Sequence, residues 1–247
     1  MITIKTESEI DALREPCAIV RDTLAYVGSL VKPGVSTEEL DKAAEKYIRM
    51  RGAEPSCLGY CGYPASICAS VNEEVVHGIP GERILREGDI ISVDLCAYKN
   101  GFHGDGARTF AVGKVSEENK KLIRVTEECF FEAVKNLRAG TPLYDIGAAV
   151  QAHAEGNGFS VVREYVGHGI GREMHEDPSV PNFGKRGTGI RLKAGMVLCI
   201  EPMILAGARG VRVLGDGWTA VTQDGKCAAH YENTVVIREE GVEILTL

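Results

Sequence analysis

The stretch LREGDIISVD, residues 85–94, is nearly copied further along the chain as LKAGMVLCIE, residues 192–201. Each copy begins with leucine and a basic residue, passes a glycine, and continues as an apolar run. Each copy ends on a carboxylate, Asp94 in the first and Glu201 in the second. Short apolar runs after a glycine turn predict buried strands. A single match of this kind can arise by chance, so its meaning depends on how far the copy extends.

The copy extends in both directions. A second acid follows each strand, Asp105 in the first half and Glu232 in the second, just before another threonine-containing apolar strand. Other positions recur in the same order: Gly34, Leu40, Ala43, Gly52 and His77-Gly78-Ile79 match Gly140, Ile146, Ala149, Gly158 and His168-Gly169-Ile170. These matches indicate a duplication with halves near residues 1–112 and 113–247. A pseudo-twofold axis between such halves would bring acids that are distant in sequence together at the centre.

Composition predicts an ordinary globular chain without a nucleic-acid role. The 247 residues are 44% hydrophobic and 26% charged, and no linker rich in Pro or Ser separates the halves, so we expect one domain spanning residues 1–247. The net charge of −7 opposes a polyanionic partner. The one basic cluster is short and is interpreted as a solvated loop: Lys185, Arg186, Arg191 and Lys193.

The chain also has the features of a cytoplasmic protein. Its first twenty residues carry acids and lack an apolar core of signal-peptide length, and no apolar run approaches the roughly 18 residues of a membrane span. The eight cysteines show no paired C-x-x-C arrangement, which favours reduced thiols. Cys57, Cys61 and Cys68 are close enough to raise a zinc site, but no fourth ligand has finger-like spacing.

Helix and strand signals alternate along the chain. Helices are predicted over residues 7–31, where Pro16 should end or kink the first turns, from the Ser36 capping box to Arg51, from Ser116 to Leu137, and from Thr141 with Pro142 at the first helical position. Strand-rich blocks are predicted over residues 66–77, 89–112, 160–166, 195–204 and 218–237. Helix pairs that alternate with such blocks predict an α+β fold with a curved antiparallel sheet covered by helices.

Strand geometry indicates that Asp94 and Asp105 can share a ligand. A two-residue turn at Asn100-Gly101 sets Asp105 opposite Cys96, which puts both acids on one face as diagonal neighbours roughly 7 Å apart. By the internal copy, Glu201 and Glu232 would form a second such pair. The alternative is that all four are solvated strand acids or partners in salt bridges.

Clustering of the four acids would require neutralisation. Two like charges at 4 Å repel by roughly 4 kcal/mol at an effective dielectric of 20, so several such pairs exceed the net stability of a domain. Two divalent cations would balance the charge, and protonated acid pairs are the alternative. His168, within VGHGIGREMHEDP, favours metal because imidazole is a common transition-metal ligand.

The glycines of GHGIG also resemble a nucleotide fingerprint, but His-Glu-Asp-Pro follows where that motif needs a helix.

The remaining histidines divide by whether they occupy copied positions. His77 and His168 do, which marks them as candidate site residues. His103, His153 and His230 are interpreted as ordinary core or surface groups.

Several segments together resemble the methionine aminopeptidases: VNEEVVHGIP, SVDLCAYKNGFHGDGARTF, GHGIGREMHEDP, IEPM and YENTVVI. The resemblance spans nearly the whole chain. It implies the pseudo-symmetric pita-bread fold of creatinases and aminopeptidases, with a central pair of divalent metal ions. By this resemblance Asp94 would chelate one metal, His168 and Glu201 the other, and Asp105 and Glu232 would bridge them. The short spacing from His168 to Glu201 resembles type I enzymes, here without the zinc-finger extension of eukaryotic ones.

The resemblance also implies a reaction and its residues. A metal-activated water would hydrolyse the first peptide bond of nascent chains that begin with methionine, with a small second residue preferred. Glu201 would shuttle the proton, and His77 and His175 would hydrogen-bond the substrate. A methionine pocket would be lined by Cys57, Tyr60, Tyr63, Cys68 and Trp218. The metals would be Co, Mn, Fe or Zn, and a monomer with transient ribosome contact is expected, without membrane or nucleic-acid binding.

Three positions depart from the pattern of bacterial relatives, and two other functions stay open. Cys96 and Gly106 stand where Thr or Ser is frequent, and Met174 stands where some relatives carry an aromatic residue. These departures affect the expected metal affinity, pocket shape and sensitivity to oxidation.

Xaa-Pro aminopeptidases and creatinases share the fold but usually carry an additional N-terminal domain. Relatives that have lost metal ligands serve as binding modules for RNA or protein, whereas all five ligands are present here.

Overall fold

The computed structural model of the chain describes residues 2–247. These residues form four α-helices, which come as two pairs: α1 (Glu7–Leu30), α2 (Thr37–Met50), α3 (Glu117–Val134) and α4 (Tyr144–Gly156). Five strands follow the first pair: β1 (Glu54–Pro55), β2 (Cys68–Val71), β3 (Glu74–Val76), β4 (Ile90–Lys99) and β5 (Phe102–Ala111). Ten follow the second pair: β6 (Ser160–Val161), β7 (Gly167–Gly169), β8 (Glu176–Val180), β9 (Val197–Ile200), β10 (Met203–Leu205), β11 (Val211–Val213), β12 (Ala220–Thr222), β13 (Ala228–His230), β14 (Glu232–Arg238) and β15 (Gly241–Ile244).

Local capping explains where the first helices begin. Thr6 and Ser36 each accept a hydrogen bond from the backbone N–H three residues on, and the glutamate at that position bonds back to the cap. This reciprocal arrangement satisfies two helix N–H groups that otherwise lack partners. The capping box predicted at Ser36 is therefore confirmed, and Gly52, with a φ of 69°, follows the end of α2.

Two predictions involve proline: the first, that Pro16 ends or kinks α1, is wrong about the ending, and the second, that Pro142 opens α4, is wrong. Helix α1 runs through Pro16 without ending, because burial of Ile10, Leu13 and Val20 on the same helix outweighs one missing hydrogen bond. Helix α4 begins at Tyr144, so Pro142 is not its first residue. Pro142 instead forms a bridge with Arg191, and its carbonyl accepts from the Asp145 N–H at 3.0 Å in the preceding turn.

Nine antiparallel strands form the main sheet within residues 2–247, in the order β1-β4-β5-β14-β9-β7-β8, with β2 also paired to β4 and β15 to β14. Two three-stranded sheets, β13-β10-β6 and β11-β12-β3, complete the structure. Every predicted strand block contains strands, which confirms the α+β class with an antiparallel sheet. Five strands lie outside the predicted blocks, because their short and partly exposed sequences lack apolar runs: β1, β7, β8, β11 and β15.

The β4–β5 hairpin has the predicted register. Lys99 pairs with Phe102 and Cys96 with Asp105, across a turn whose residues Asn100 and Gly101 have φ of 55° and 81°. Positive φ at both positions suits the two-residue hairpin turn that Asn-Gly favours. The predicted placement of Asp94 and Asp105 on one face is therefore confirmed.

The same face continues across the second half of the sheet. Ala107 of β5 pairs with both Asp94 and Glu232, and Cys199 of β9 pairs with both His168 and Thr234. Since directly opposed residues point to the same side of a sheet, these rows carry the acids and His168 on one face. The alternating positions pack under the helices, with Val93 and Leu95 in a core beside α1 and α2, and Leu198 and Val235 in a core beside α3 and α4.

Two further observations concern the surface. The basic stretch that contains Lys185, Arg186, Arg191 and Lys193 lies in an exposed loop, as predicted. Of the helices that the structure describes, none is both long enough and apolar enough to cross a membrane.

Candidate metal centre

Five strands deliver the five predicted metal ligands to one place. Asp94 lies in β4, Asp105 in β5 and His168 in β7, while Glu201 follows the last residue of β9 and Glu232 opens β14. Continuing the register of Asn233 with Ile200 by one residue sets Glu201 opposite Glu232. The two acid pairs expected from the duplicated sequence thus lie side by side on the sheet.

The donor atoms of these residues form three overlapping groups, in each of which they lie within 4.8 Å of one another. The groups are Asp94 with Cys96 and Asp105; Asp105 with His168, Cys199 and Glu232; and Glu201 with His230 and Glu232. Asp105 and Glu232 each belong to two groups. They therefore join all five predicted ligands into one continuous centre, which is the arrangement a bridging role requires.

Several buried polar atoms of the centre have no hydrogen-bond partner within residues 2–247. Asp105 is 4% exposed and Glu232 is 2% exposed, yet Oδ1 of the first and Oε1 of the second are unpaired. No lysine or arginine of the described chain forms an ion pair with any of the four carboxylates, so the salt-bridge alternative fails. Unsatisfied buried acceptors are rare in native proteins, and a missing ion is a standard explanation.

The environment opposes charge on both the acids and the imidazole. Burial raises the pKa of Asp94, Asp105 and Glu232 well above the ordinary range, and it raises the pKa of Glu201 to about 8. The neighbouring Asp105 charge raises the pKa of Asp94 and Glu232 further. Burial, followed by the nearby His175, lowers the pKa of His168 to about 3. His168 is therefore a neutral imidazole, and its contacts of 3.8 Å to Asp105 and 3.7 Å to Glu201 are not ion pairs.

This donor set fits divalent metal ions. Four carboxylates and a neutral imidazole match the oxygen and nitrogen ligands of borderline divalent cations. Cations at the centre would stabilise the charged form of the acids and so oppose the rise in pKa that burial causes. They would also bind the unpaired oxygens of Asp105 and Glu232.

Glycines on both sides of His168 explain how it reaches the centre. A Cβ at Gly167 would lie 2.3 Å from the Cys199 carbonyl oxygen, and one at Gly169 would lie 2.2 Å from the Asp177 carbonyl oxygen. Only glycine allows β7 to approach both neighbouring strands this closely. The glycines of GHGIG thus place an imidazole in the sheet. No helix follows them in the described chain; strand β8 does, which agrees with the rejection of a nucleotide site.

A cavity of about 400 Å³ opens over the centre. Its lining includes every residue that the sequence analysis assigned to the site: Asp94, Asp105, His168, Glu201 and Glu232, together with His77, His175, Cys57, Tyr60, Tyr63, Cys68 and Trp218. A wider groove of about 900 Å³, lined in part by Lys5, Arg172 and Glu176, meets this pocket at His168 and His175.

The two predicted substrate-binding histidines flank the pocket. His77 has a φ of 60°, a strained left-handed conformation of the kind that concentrates at functional sites, and its ring lies edge-on to Tyr165 at 5.4 Å. Burial lowers the pKa of His77 to about 4, so its ring is neutral at neutral pH. His175 Nδ1 lies 2.8 Å from the Tyr60 hydroxyl, and the ring of His175 packs 4.3 Å from the ring of His168.

The structure adds residues that sequence reasoning missed. His230, interpreted as an ordinary histidine, is fully buried with Nε2 3.4 Å from Glu201 Oε2. Its position in His230-Tyr231-Glu232, the counterpart of His103-Gly104-Asp105, was an available signal. Tyr165 and Met203 line the pocket, and Met203 was detectable because it lies two residues beyond Glu201.

The remaining histidines and the cysteines considered as a zinc site have the surroundings of structural residues. His103 bonds Ser56 and His153 bonds Glu128, each at 2.9 Å, as expected of structural histidines. All eight cysteines, each within the described residues, are free thiols, and no candidate metal group there joins Cys57, Cys61 and Cys68.

The three departures from the bacterial pattern lie at or beside the pocket. Cys96 and Met174 line it. Gly106 packs beneath α1, where an added Cβ would lie 3.1 Å from Val20 Cγ1. A larger residue at 106 would therefore require the Val20 and Leu24 side chains of α1 to move by a few tenths of an ångström.

Comparison with known proteins gives a consistent result. The model of metallopeptidase family M24 matches residues 11–239. A methionine aminopeptidase of Clostridium perfringens is 54% identical, with 100% of this chain and 99% of that protein covered. The crystal structure of methionine aminopeptidase from Thermotoga maritima superposes with a TM-score of 0.98 at 45% identity, covering 100% and 99%. An Xaa-Pro dipeptidase from Bacillus anthracis superposes with 0.79 at 26% identity, covering 98% of this chain and 61% of that one.

Proposed function

The chain belongs to metallopeptidase family M24 and is a methionine aminopeptidase with the curled antiparallel sheet of the pita-bread fold, and we propose that two divalent ions at the described centre carry its activity. The observation that carries this proposal is the meeting of five metal-ligating side chains, two with unpaired buried oxygens, in the lining of one pocket. Divalent ions and peptide substrates follow from the family; the number of ions and their ligands are the proposal.

The ligands divide naturally between two ions. Asp94 would hold one, His168 and Glu201 the other, and Asp105 and Glu232 would contact both, because these two alone belong to two donor groups of the described chain. When bound, such ions activate a water molecule for attack and polarise the scissile carbonyl, a chemistry for which aminopeptidases are themselves a standard example. The donor set admits Mn, Fe, Co or Zn.

Glu201 is placed to move the proton. Its carboxyl group has a pKa raised to about 8 by burial, and its two oxygens lie within 4 Å of the imidazoles of His168 and His230. Because bound cations would lower this pKa again, the role is assigned from position: a carboxylate that holds one ion lies beside the water that the ions would activate. We assign Glu201 to take the proton from the attacking water and deliver it to the leaving amine.

His77 and His175 would hold the substrate backbone. The Tyr60 contact occupies Nδ1 of His175, which leaves Nε2 for a substrate group. His77 is a neutral imidazole that can donate one N–H. Donors placed beside the scissile bond stabilise the negative charge that develops on its oxygen in the transition state.

The pocket suits a methionine side chain. Cys57, Tyr63, Cys68 and Met174 form a buried apolar cluster against which Trp218 packs, and the Tyr63 and Trp218 rings lie edge to face at 5.1 Å. Burying a methionine side chain contributes about 1.5–3 kcal/mol, and its sulfur makes favourable contacts with aromatic edges. The resemblance to the methionine aminopeptidases adds a preference for a small second residue.

The direct test is a peptide cleavage assay with metal-stripped protein and with protein restored with Mn or Co. We expect cleavage of Met-Ala-Ser, little cleavage of Met-Lys-Ser, none of Ala-Pro-Ser, and loss of activity on metal removal. Preference for Ala-Pro-Ser would instead assign an Xaa-Pro activity. Absence of cleavage with every metal would leave a binding module as the function.

We also propose where the enzyme acts, its oligomeric state and its domain organisation. We place the enzyme in the cytoplasm as a monomer that acts on nascent chains, with transient ribosome contact and without direct nucleic-acid specificity. We treat residues 1–247 as one catalytic domain whose halves, about 1–112 and 113–247, derive from the duplication.

A further inference from the structure

Cys96 introduces a sulfur atom into a centre otherwise composed of oxygen and nitrogen donors. We infer that Cys96 supplies a thiolate ligand to the divalent ion held by Asp94 and Asp105, an inference that rests on the metal pair proposed above. The Cys96 Sγ and a carboxylate oxygen from each acid all lie within 4.8 Å of one another. A sulfur bound at about 2.3 Å and an oxygen bound at about 2.0–2.2 Å to one ion are separated by at most about 4.5 Å. Side-chain movements of a few tenths of an ångström would therefore be enough to bring the three donors around a shared ion.

The backbone fixes the direction of this side chain. Cys96 is directly opposite Asp105 in the β4–β5 ladder and two residues beyond Asp94 in the same strand. All three side chains therefore point to the same face of the sheet. Their convergence follows from the pairing of two ten-residue strands and does not depend on a flexible loop.

A second observation points to a ligand at this spot. Asp105 Oδ1 is buried without a hydrogen-bond partner in the described structure, and Asp105 belongs to the same donor group as the thiol. Cys96 is 3% exposed and lines the pocket, so a species that enters the pocket reaches both groups. An ion at this position would satisfy the Asp105 oxygen, and it would replace the hydrogen bonds that join the Cys96 thiol to Asp105 and Cys57.

The other thiols nearby are less suitable and serve as controls. Cys199 belongs to the donor group on the other side of the centre, but its sulfur lies 3.7 Å from the Thr234 hydroxyl and packs among apolar residues of α1. Cys57 lines the pocket but belongs to no candidate donor group within residues 2–247.

A thiolate ligand would change which metals the centre prefers. Thiolates favour soft and borderline ions, whereas carboxylates suit manganese and magnesium. We therefore expect the centre to bind cadmium, zinc and cobalt more strongly relative to manganese than a centre with threonine at position 96 would. Cys96→Thr provides that comparison within the same fold.

Cobalt is a suitable probe because a thiolate bound to it produces a near-ultraviolet sulfur-to-metal charge-transfer band. The full chain is stripped of metal and titrated with cobalt, with bound metal measured independently. The band should appear in the wild type, Cys199→Thr and Cys57→Ser, and should be absent in Cys96→Thr and Cys96→Ser. Circular dichroism selects variants that remain folded.

Any other result contradicts ligation by Cys96. The results also distinguish failure of this inference from failure of the proposed metal centre. If cobalt binds but the wild type lacks the band, or Cys96→Thr keeps it, sulfur ligation by Cys96 is wrong while the centre stands. If Cys199→Thr removes the band, the sulfur ligand lies on the other side. If no cobalt binds to the folded wild type, both proposals fail.

A competition experiment provides an independent readout. Cys96→Thr should lower the ratio of cadmium to manganese affinity by about 10- to 100-fold, since even residues outside the ligand sphere change metal affinity by that much. The same ratio in both proteins would contradict the inference.

Discussion

Asp94 and Glu201 are the last residues of the two copied segments, and their carboxylates lie in the same centre. Asp94 lies within an apolar strand and Glu201 directly follows one. Neighbouring side chains of both strands pack beneath helices, which fixes the backbone that carries each carboxylate. Both groups are held where burial disfavours their charge. Such an arrangement costs stability and is expected where the chemistry of the site needs it.

Replacing either acid by its amide tests this assignment. Asp94→Asn and Glu201→Gln keep the side-chain shape but remove the charge that holds a cation. We expect kcat/KM on a Met-Ala peptide to fall by at least about 100-fold, the lower range for loss of a proton-transfer group. The melting temperature of the metal-free variants should not fall, because one carboxylate leaves a crowded cluster.

The matched control is Glu45→Gln, the same change at a partly exposed helix position far from the centre, where the carboxylate pairs with Arg49. It should retain wild-type turnover, since surface substitutions rarely exceed about 0.5 kcal/mol. Near-normal rates in Asp94→Asn or Glu201→Gln would refute the ligand assignment.

Trp218 tests the methionine pocket separately from the metals. Its ring packs edge-on against Tyr63 at 5.1 Å and borders the cavity. Trp218→Ala should raise KM for Met-Ala peptides by about tenfold, as expected for loss of an aromatic contact of roughly 1.4 kcal/mol, with a smaller change in kcat. Steady-state kinetics provide the measurement. The KM of Trp218→Phe should lie between those of the wild type and Trp218→Ala. An unchanged KM in the alanine variant would place the methionine side chain elsewhere.

At the scale of elements, the β4–β5 hairpin and helix α1 determine where the first two acids lie. Gly104, next to Asp105, contacts α1 so closely that an added Cβ would lie 2.6 Å from the Cys17 nitrogen. The helix therefore packs directly on the strand that carries a proposed bridging ligand.

Gly104→Ala should push helix α1 and strand β5 apart. We expect a loss of about 1–3 kcal/mol in the free energy of unfolding, the usual cost of overpacking, together with weaker metal binding because Asp105 moves with its strand. Urea denaturation and cobalt titration measure the two effects.

Gly156→Ala is the control for this change. Gly156 ends α4 with open space around its Cα, so alanine should be neutral or slightly stabilising. Equal stability of the two alanine variants would show that α1 is not pressed against β5.

Sequence signals predicted elements well where one local interaction dominates. The Ser36 capping box and the Asn100-Gly101 turn each depend on contacts within a few residues, and both form as predicted. Helix α1 does not end at Pro16, because the packing of a whole helix face outweighs one lost hydrogen bond. Strand β7, three residues with two glycines, has no apolar pattern and forms because β8 and β9 flank it.

At the scale of the molecule, the centre joins the two halves of the chain. Asp94 and Asp105 come from the first half, whereas His168, Glu201 and Glu232 come from the second. An ion bound by both sets adds a cross-link that is absent from the unfolded chain. Metal should therefore stabilise the fold as a whole.

Thermal unfolding with and without metal tests this linkage. Manganese or cobalt at about 100 times its Kd should add about 2.7 kcal/mol, which for a chain of this size raises Tm by about 5–10 °C. Asp94→Asn should show a clearly smaller shift. Identical melting curves for stripped and loaded wild type would mean that no ion links the halves.

The amino-acid sequence by itself determined the duplicated pattern, the α+β class, the hairpin register and the identity of the five candidate ligands, because each depends on periodicity, turn chemistry or a copied motif. Only the tertiary structure decided that donor atoms from both halves lie within 4.8 Å of one another, that His230 stands beside Glu201, and how close the Cys96 sulfur lies to both acids. Those facts depend on how strands distant in sequence pair, and on burial, which no local pattern records.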